Sequence, residues 1–425
     1  MATLELSLEE ELEVFANELK RFFTKDEIDQ IARNIGFVQR KGKINAWQFV
    51  ALCSFMNANV AEDTLVELTS ALSTGNGPVV SSQALDKRFN EKCVMFLKEI
   101  FNKLLTSKIL SDTKVLSEID NYFKRIIVLD STSFQVPEVH KETYPGSGGS
   151  AQTAGVKINL EMELKSGNYI NLEVVAGSSD DNTFGTKSNS TLGKGDLVIK
   201  DLGYFSIENF KEIEAKEAFY ISRLKPNIAI YIDNEEVKYF GDGTPKKTSL
   251  YRRIHIQDIL KEMNEGEIRE LNNVYIGRDT KFKTRIIIYK LAKEQLEKRR
   301  IAFEKNAKKK GITKNENTIE LLEASVYITN VRDTDLTPNQ IYEMYTLRWQ
   351  VEIVFKTWKS IFHIQNVKKV KIERLECQLY GKLILLLLSS TIMCKMRVLL
   401  LLKKRRKPVN LNLLKSYANT LKICI

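Results

Sequence analysis

Metal-binding cysteine and histidine patterns are missing from this chain of 425 residues. Its five cysteines (Cys53, Cys93, Cys377, Cys394 and Cys424) form no C-x-x-C pair, and its three histidines (His140, His255 and His363) lie far apart. That excludes the usual zinc and iron–sulfur spacings. Long apolar runs are also lacking. The longest, Leu383–Cys394, holds twelve residues between Lys382 and Lys395, too few to span a bilayer. The first fifteen residues are acidic and amphipathic, unlike a signal peptide. These absences predict a cytoplasmic protein with free thiols and no membrane partner. Tryptophan is scarce, at Trp47, Trp349 and Trp358 only. Negative charge is in deficit: 54 acidic residues face 65 basic ones, a net charge of +11. Such a balance favours a polyanionic partner, nucleic acid before anionic membrane.

What is present divides the chain, whose length suits two to four domains. Residues 1–118 read as helices, with apolar positions at helical spacing through Leu12, Phe15, Leu19 and Phe22 and again through Trp47, Val50 and Leu52. After the turn at Ser73–Pro78, the stretch Ser81–Phe89 reads as a capped helix carrying Lys87 and Arg88. It resembles the second helix of a helix-turn-helix, so Lys87 and Arg88 are candidate DNA contacts.

The pattern changes at Arg125. Ile126–Leu129 is an apolar run ending in Asp130, as expected of a buried strand. Two alternating strands follow, turning at Lys165–Asn168, then a helix, and a second apolar run, Leu197–Ile199, ending in Lys200 and Asp201. A helix over Ile207–Ala215 and a strand over Ala218–Arg223 complete this part, 119–223. Residues 224–324 read as a mainly β insertion, with strands over Ile228–Ile232, Val237–Phe240, Arg252–Ile256 and Arg285–Tyr289 and a basic helix over Lys290–Lys310. Residues 325–370 return to the core with the strand Val326–Asn330 and one helix from Ile341 to Phe362. Residues 371–425 read as a helical, basic C-terminal region, a candidate dimer interface.

That last core helix carries a polar line. Tyr345, Arg348, Glu352 and Lys359 have offsets of 3, 7 and 14 residues from the first. At about 100° per residue they fall near 0°, −60°, −20° and −40°, on one face. Trp349, Val354, Phe355, Trp358 and Ile361 are expected to bury the other sides. Thr337, Pro338 and Gln340 signal the helix start by a capping box with proline at the first position.

Strand, strand, strand, helix, strand, helix, strand, insertion, helix is the order of an RNase H-like domain. In it the strands ending in Asp130 and Asp201 are parallel neighbours, so their carboxylates meet. Two carboxylates at apolar strand ends are costly unless neutralised. With Glu352 they make an oxygen donor set suited to Mg²⁺ or Mn²⁺, as two ions acting on a phosphodiester. That chemistry needs no Cys, His or Ser nucleophile.

On these residues the chain resembles the insertion-sequence-four family of DDE transposases. The spacing Tyr345-x-x-Arg348-x-x-x-Glu352, with six residues between Glu352 and Lys359, matches its YREK signature. Arg348-Trp349, Phe355-Lys356, the run Asp201–Phe205, Tyr220–Lys225 and Tyr327–Asn330 are similar to its other motifs; Ser131 stands where the family often has Gly. The resemblance covers roughly residues 75–385. It implies an α/β RNase H-like catalytic core interrupted by a mainly β insertion, with a helical N-terminal DNA-binding domain and a helical C-terminal region. It implies cut-and-paste transposition, with Asp130, Asp201 and Glu352 holding two Mg²⁺ (or Mn²⁺) ions. Tyr345, Arg348 and Lys359, with Arg223 as an additional contact, would grip phosphates. The partners would be double-stranded DNA, as terminal inverted repeats and target, and a second copy in a homodimer, in a nucleoid-associated setting. A hairpin step would need an aromatic to hold an extruded base. The insertion has no Trp, leaving Tyr251, Tyr275, Phe282 and Tyr289 as alternatives. Two other readings share these residues: a nuclease that does not join strands, and an inactive or truncated copy that only binds DNA. The abrupt ending Leu421–Ile425 is what raises the second.

Overall fold

The computed structural model describes residues 23–404, apart from 41, 57, 75–76, 110–121, 149–152 and 311–320. The expectations for the segment from Leu12 to Phe22, for the basic cluster beyond Lys404 and for the ending Leu421–Ile425 lie outside the described residues. Ten strands are described in chain order: β1 (Ile126–Gln135), β2 (Gly155–Glu163), β3 (Tyr169–Ala176), β4 (Leu197–Lys200), β5 (Phe219–Arg223), β6 (Ile230–Asp233), β7 (Tyr251–Ile254), β8 (Ile268–Ile276), β9 (Phe282–Lys290) and β10 (Ala324–Thr329). The chain forms two compact units, each assembled from separated segments.

The first unit comprises Met1–Leu116, Ser131–Ser179 and Gln350–Ile425. Its short N-terminal helices begin where their capping signals stand. Thr24 with Glu27, Asn45 with Gln48 and Thr64 with Glu67 each close a capping box, satisfying orphan backbone donors. Phe37, Phe49, Phe89 and Phe96 form one aromatic cluster, with ring centroids 4.9–5.6 Å apart. The long helix Ile372–Lys404 buries Leu375, Cys377, Leu379, Leu383, Ile384 and Leu387. Gly381 allows its close approach: a Cβ there would lie 2.2 Å from the Cys53 carbonyl oxygen. Over its described side chains, the leucine-rich segment is therefore a core helix rather than an outward face. Cys53, Cys93 and Cys377 are buried free thiols, and the sulfurs of Cys93 and Cys377 are 3.2 Å apart. β2 and β3 pair as the expected antiparallel hairpin, with Gly167 at φ +71° in the turn, a conformation glycine adopts without penalty.

The second unit comprises Ser117–Asp130 and Asp180–Trp349. Its sheet runs in the order β1-β4-β5-β10-β9-β8-β6-β7. β1, β4 and β5 are parallel; from β5 to β10 onward the pairs are antiparallel. The expected insertion forms no sheet of its own, because β9 pairs with β10 along Arg285–Lys290 and carries the core sheet outward. Two strand expectations are corrected. Val237–Phe240 is not a strand; only Tyr239 bridges to Pro245. β8 was not anticipated, since Asn272 and Asn273 interrupt its alternation, and the ladder shifts register there with Asn273 at φ +54°.

The helix expected from Ile341 to Phe362 is two helices, Pro338–Thr346 and Trp349–Ser360. Between them Leu347 N–H bonds to Met344 and Arg348 N–H to Tyr345, three-residue spacings that tighten the turn and end the α ladder. The polar line is therefore broken between Arg348 and Glu352. Trp349 and Ile361, expected to be buried, are 57% and 47% exposed.

Candidate active site

Register places the two aspartates. Ile126 to Leu129 of β1 pair in parallel with Leu197 to Lys200 of β4. The next residues along the chain are Asp130 and Asp201, so the carboxylates stand side by side just past the paired stretch. Asp201 follows the end of β4 as expected, whereas Asp130 does not end its strand, because β1 continues to Gln135. Two anchors that the sequence reading did not single out hold this register. Asp196, 1% exposed at the start of β4, accepts from Arg125 Nε at 3.0 Å just before β1. Lys200, wholly buried, donates to Asn189 Oδ1 at 2.8 Å and to the Gly185 carbonyl. A basic residue adjoining a strand was the available signal for both, but its burial depends on partners distant in sequence.

Asp201 leaves β4 as the N-cap of a one-turn 3₁₀ segment, Leu202–Tyr204. A Cβ on Gly203 would come 3.3 Å from Asp181 Oδ2, tighter than an ordinary contact. Arg348 Nη1 donates to Asp130 Oδ2 at 2.7 Å, and its Nε lies 3.6 Å from Asp201 Oδ1. Tyr345 Oη donates to Asp201 Oδ1 at 3.2 Å. One guanidinium thus spans both carboxylates, with a phenol on the second.

The phenol is held neutral. Burial pushes the Tyr345 hydroxyl pKa well above its usual value, and the Asp201 charge adds to the rise; Arg348 and Arg223 oppose it. Its ring packs on Tyr327 with centroids 4.8 Å apart. Tyr327 lies opposite Arg223 across the β5–β10 ladder, and Ser222, just before Arg223, lies opposite Lys200, just before Asp201. Asp130, Asp201, Arg223, Tyr345 and Arg348 therefore gather in the second unit. Tyr327 joins them, a residue quoted as part of a motif but not as a site residue.

Glu352 and Lys359 belong to the first unit, on the helix Trp349–Ser360. Both are half-buried. Lys359 Nζ donates to the Ser133 carbonyl at 3.0 Å, and burial lowers its pKa. Trp358 packs beneath, its ring 5.9 Å from Tyr169 and 5.2 Å from Phe355. Among the described residues no group of three or more His, Cys, Asp or Glu side chains is gathered closely enough for a metal ion. The donors nearest that chemistry are Asp130 and Asp201. They fit a hard cation in kind, since a guanidinium cation already takes their oxygens.

Lys87 and Arg88 are not part of this group. The helix expected over Ser81–Phe89 ends at Asp86, so both residues fall after it. Arg88 donates to the carbonyls of Phe37 at 3.2 Å and Ile44 at 2.8 Å, with its guanidinium 4.6 Å from the Phe37 ring centre. That placement makes it a clamp on backbone carbonyls, in contrast to the recognition-helix expectation. Lys87 is exposed. Of the aromatics considered for an extruded base, Phe282 is buried and Tyr289 packs on Tyr342. Tyr251 and Tyr275 form an edge-on pair 4.8 Å apart.

Comparison with known proteins shows the family. Residues 121–388 match the transposase DDE domain. The transposase for insertion sequence element IS231E of Bacillus thuringiensis subsp. finitimus is 44% identical over 404 residues, which is 95% of this chain and 84% of that protein. The transposase for insertion sequence element IS1151 of Clostridium perfringens is 39% identical, covering 91% of this chain and 81% of that protein. A solved piggyBac transposase synaptic complex with hairpin DNA is a remoter likeness, with a TM-score of 0.45 and 11% identity over 96% of this chain and 85% of that one. Family match and relatives together place the chain among the DDE transposases of insertion sequence elements.

Proposed function

We propose that this transposase excises and integrates its element by cut and paste, as a homodimer on the terminal inverted repeats, with Asp130, Asp201 and Glu352 as the metal-holding carboxylates. The observation that carries this reading is the side-by-side placement of Asp130 and Asp201 just past the paired stretch of β1 and β4, spanned by one cationic side chain. These carboxylates would hold Mg²⁺ or Mn²⁺, as two ions, which when bound would supply activation of the attacking oxygen and stabilisation of the leaving one. The chain's own residues do the rest. Arg348 offers a planar fork for a phosphate, Lys359 a point charge, Arg223 a second guanidinium and Tyr345 a neutral hydroxyl donor. These contacts position the backbone and carry no base specificity. Tyr345 stays protonated at neutral pH, so it donates rather than repels.

A pre-nicked element-end duplex incubated with target plasmid and Mg²⁺ tests the reaction. Joined products longer than the substrate are expected. Cleavage without joining would favour the nuclease reading, and binding without cleavage the inactive one. Asp201→Ala should lower cleavage at least a hundredfold, and unchanged cleavage would remove Asp201 from the metal site.

A further inference from the structure

Arg348 reaches both aspartates proposed as metal ligands. Its Nη1 is 2.7 Å from Asp130 Oδ2 and its Nε 3.6 Å from Asp201 Oδ1. Arg348 and Asp130 are 13% and 16% exposed, so water screens that pair less than it screens Asp201, which is 37% exposed. A divalent ion on the same carboxylate oxygens would sit beside the positive charge of Arg348, and like charges at such distances repel. Ion and guanidinium therefore compete for the two aspartates. A phosphate resolves the competition, because it matches the guanidinium fork and carries charge of its own. The backbone at Arg348 suits such an exchange: it lies in the tight turn between two helices, outside the regular ladder of either.

We propose that Arg348 is a charge latch: in the DNA-free protein it neutralises Asp130 and Asp201 in place of the metal, and a DNA phosphate draws it away and releases both carboxylates. The proposal rests on the reading of Asp130 and Asp201 as metal ligands. Its consequence is positive coupling between DNA and divalent cation. By linkage the coupling is reciprocal, so the cation strengthens DNA binding by the same factor. A metal site masked in this way binds cation poorly until a phosphodiester is seated, which limits stray cleavage by the free protein.

The test is Mn²⁺ binding to the full chain, followed by the paramagnetic resonance signal of free Mn²⁺, with and without a duplex carrying the DNA that flanks the reading frame. Without DNA, Arg348→Gln should bind Mn²⁺ roughly tenfold more tightly than the parent, within the usual range of coupling between sites. Arg348→Lys, which keeps the charge, should fall nearer the parent. The duplex should raise Mn²⁺ affinity in the parent and change it little in Arg348→Gln. Equal Mn²⁺ affinity of parent and Arg348→Gln without DNA would overturn the latch, as would Arg348→Lys binding as tightly as Arg348→Gln. Asp201→Asn separates the two layers. Loss of Mn²⁺ binding in that variant keeps the metal-site reading even if the latch fails; binding that survives overturns both.

Discussion

Tyr345 shows how a single side chain is tuned by its surroundings. Its hydroxyl is buried, beside a carboxylate, and hydrogen-bonded to it. The folded chain therefore holds this proton at a pH where the unfolded chain, with a pKa of about 10, releases it. Stability from this group is complete below pH 10 and is lost as pH rises beyond it through the folded value. Tyr220, nearly wholly buried, shifts in the same direction for the same first cause. Ultraviolet titration of the folded protein should show both phenols absent from the main tyrosine transition, and Tyr345→Phe should leave its midpoint unchanged. A Tyr345 ionising with the exposed tyrosines would contradict the hydrogen bond to Asp201. At the same scale, Arg88→Ala should act on folding: it removes donors to two half-buried carbonyls, costing about 2–3 kcal/mol in denaturant unfolding. A loss of DNA affinity without loss of stability would restore the recognition reading.

Elements set the register on which the site depends. Arg125 and Asp196 tie the beginnings of β1 and β4 together, and the aspartates that follow the paired stretch inherit that alignment. Asp196→Ala leaves Arg125 short of its partner and should cost about 3 kcal/mol, since breaking a buried pair strands a charge. Cleavage should fall as well, because the paired stretch of β1 and β4 loses its fixed alignment. An unchanged unfolding midpoint would show that the pair contributes nothing. In the first unit the corresponding point is Gly381. Replacing it by Val drives a side chain into the Cys53 carbonyl and should destabilise by about 2–3 kcal/mol through overpacking. Most of these elements were legible. The capping box at Thr337, the apolar runs ending in Asp130 and Asp201, and the helix Ile207–Ala215 follow from local chemistry. β8 and the break before Trp349 were not, because a bulge and a tightened turn arise from backbone hydrogen bonds that side-chain periodicity does not report.

For the whole molecule, the net charge of +11 predicts DNA binding that weakens steeply with salt. Each phosphate held contributes about 0.9 to the slope of log affinity against log salt. The double substitution Arg348→Ala with Lys359→Ala should lower that slope by about two, measured by fluorescence anisotropy across a salt series. An unchanged slope would take both residues out of the DNA path. Each compact unit is discontinuous in sequence, and two of the crossings between them fall at Asp130–Ser131 and Trp349–Gln350, beside proposed site residues.

Read along the chain alone, the residues offered three candidate carboxylates, a Tyr-Arg-Glu-Lys spacing, a basic balance and apolar runs followed by aspartate. These are local or compositional properties, and they were enough to indicate the family. Tertiary structure alone decided which groups are spent on which. It turned Arg88 inward onto carbonyls, packed three scattered cysteines near one another, continued the insertion as core sheet, and set Arg348 across Asp130 and Asp201. Those outcomes join residues separated by tens to hundreds of positions. Electrostatic and packing energies between such groups depend on distance in space, which no periodicity along the chain encodes.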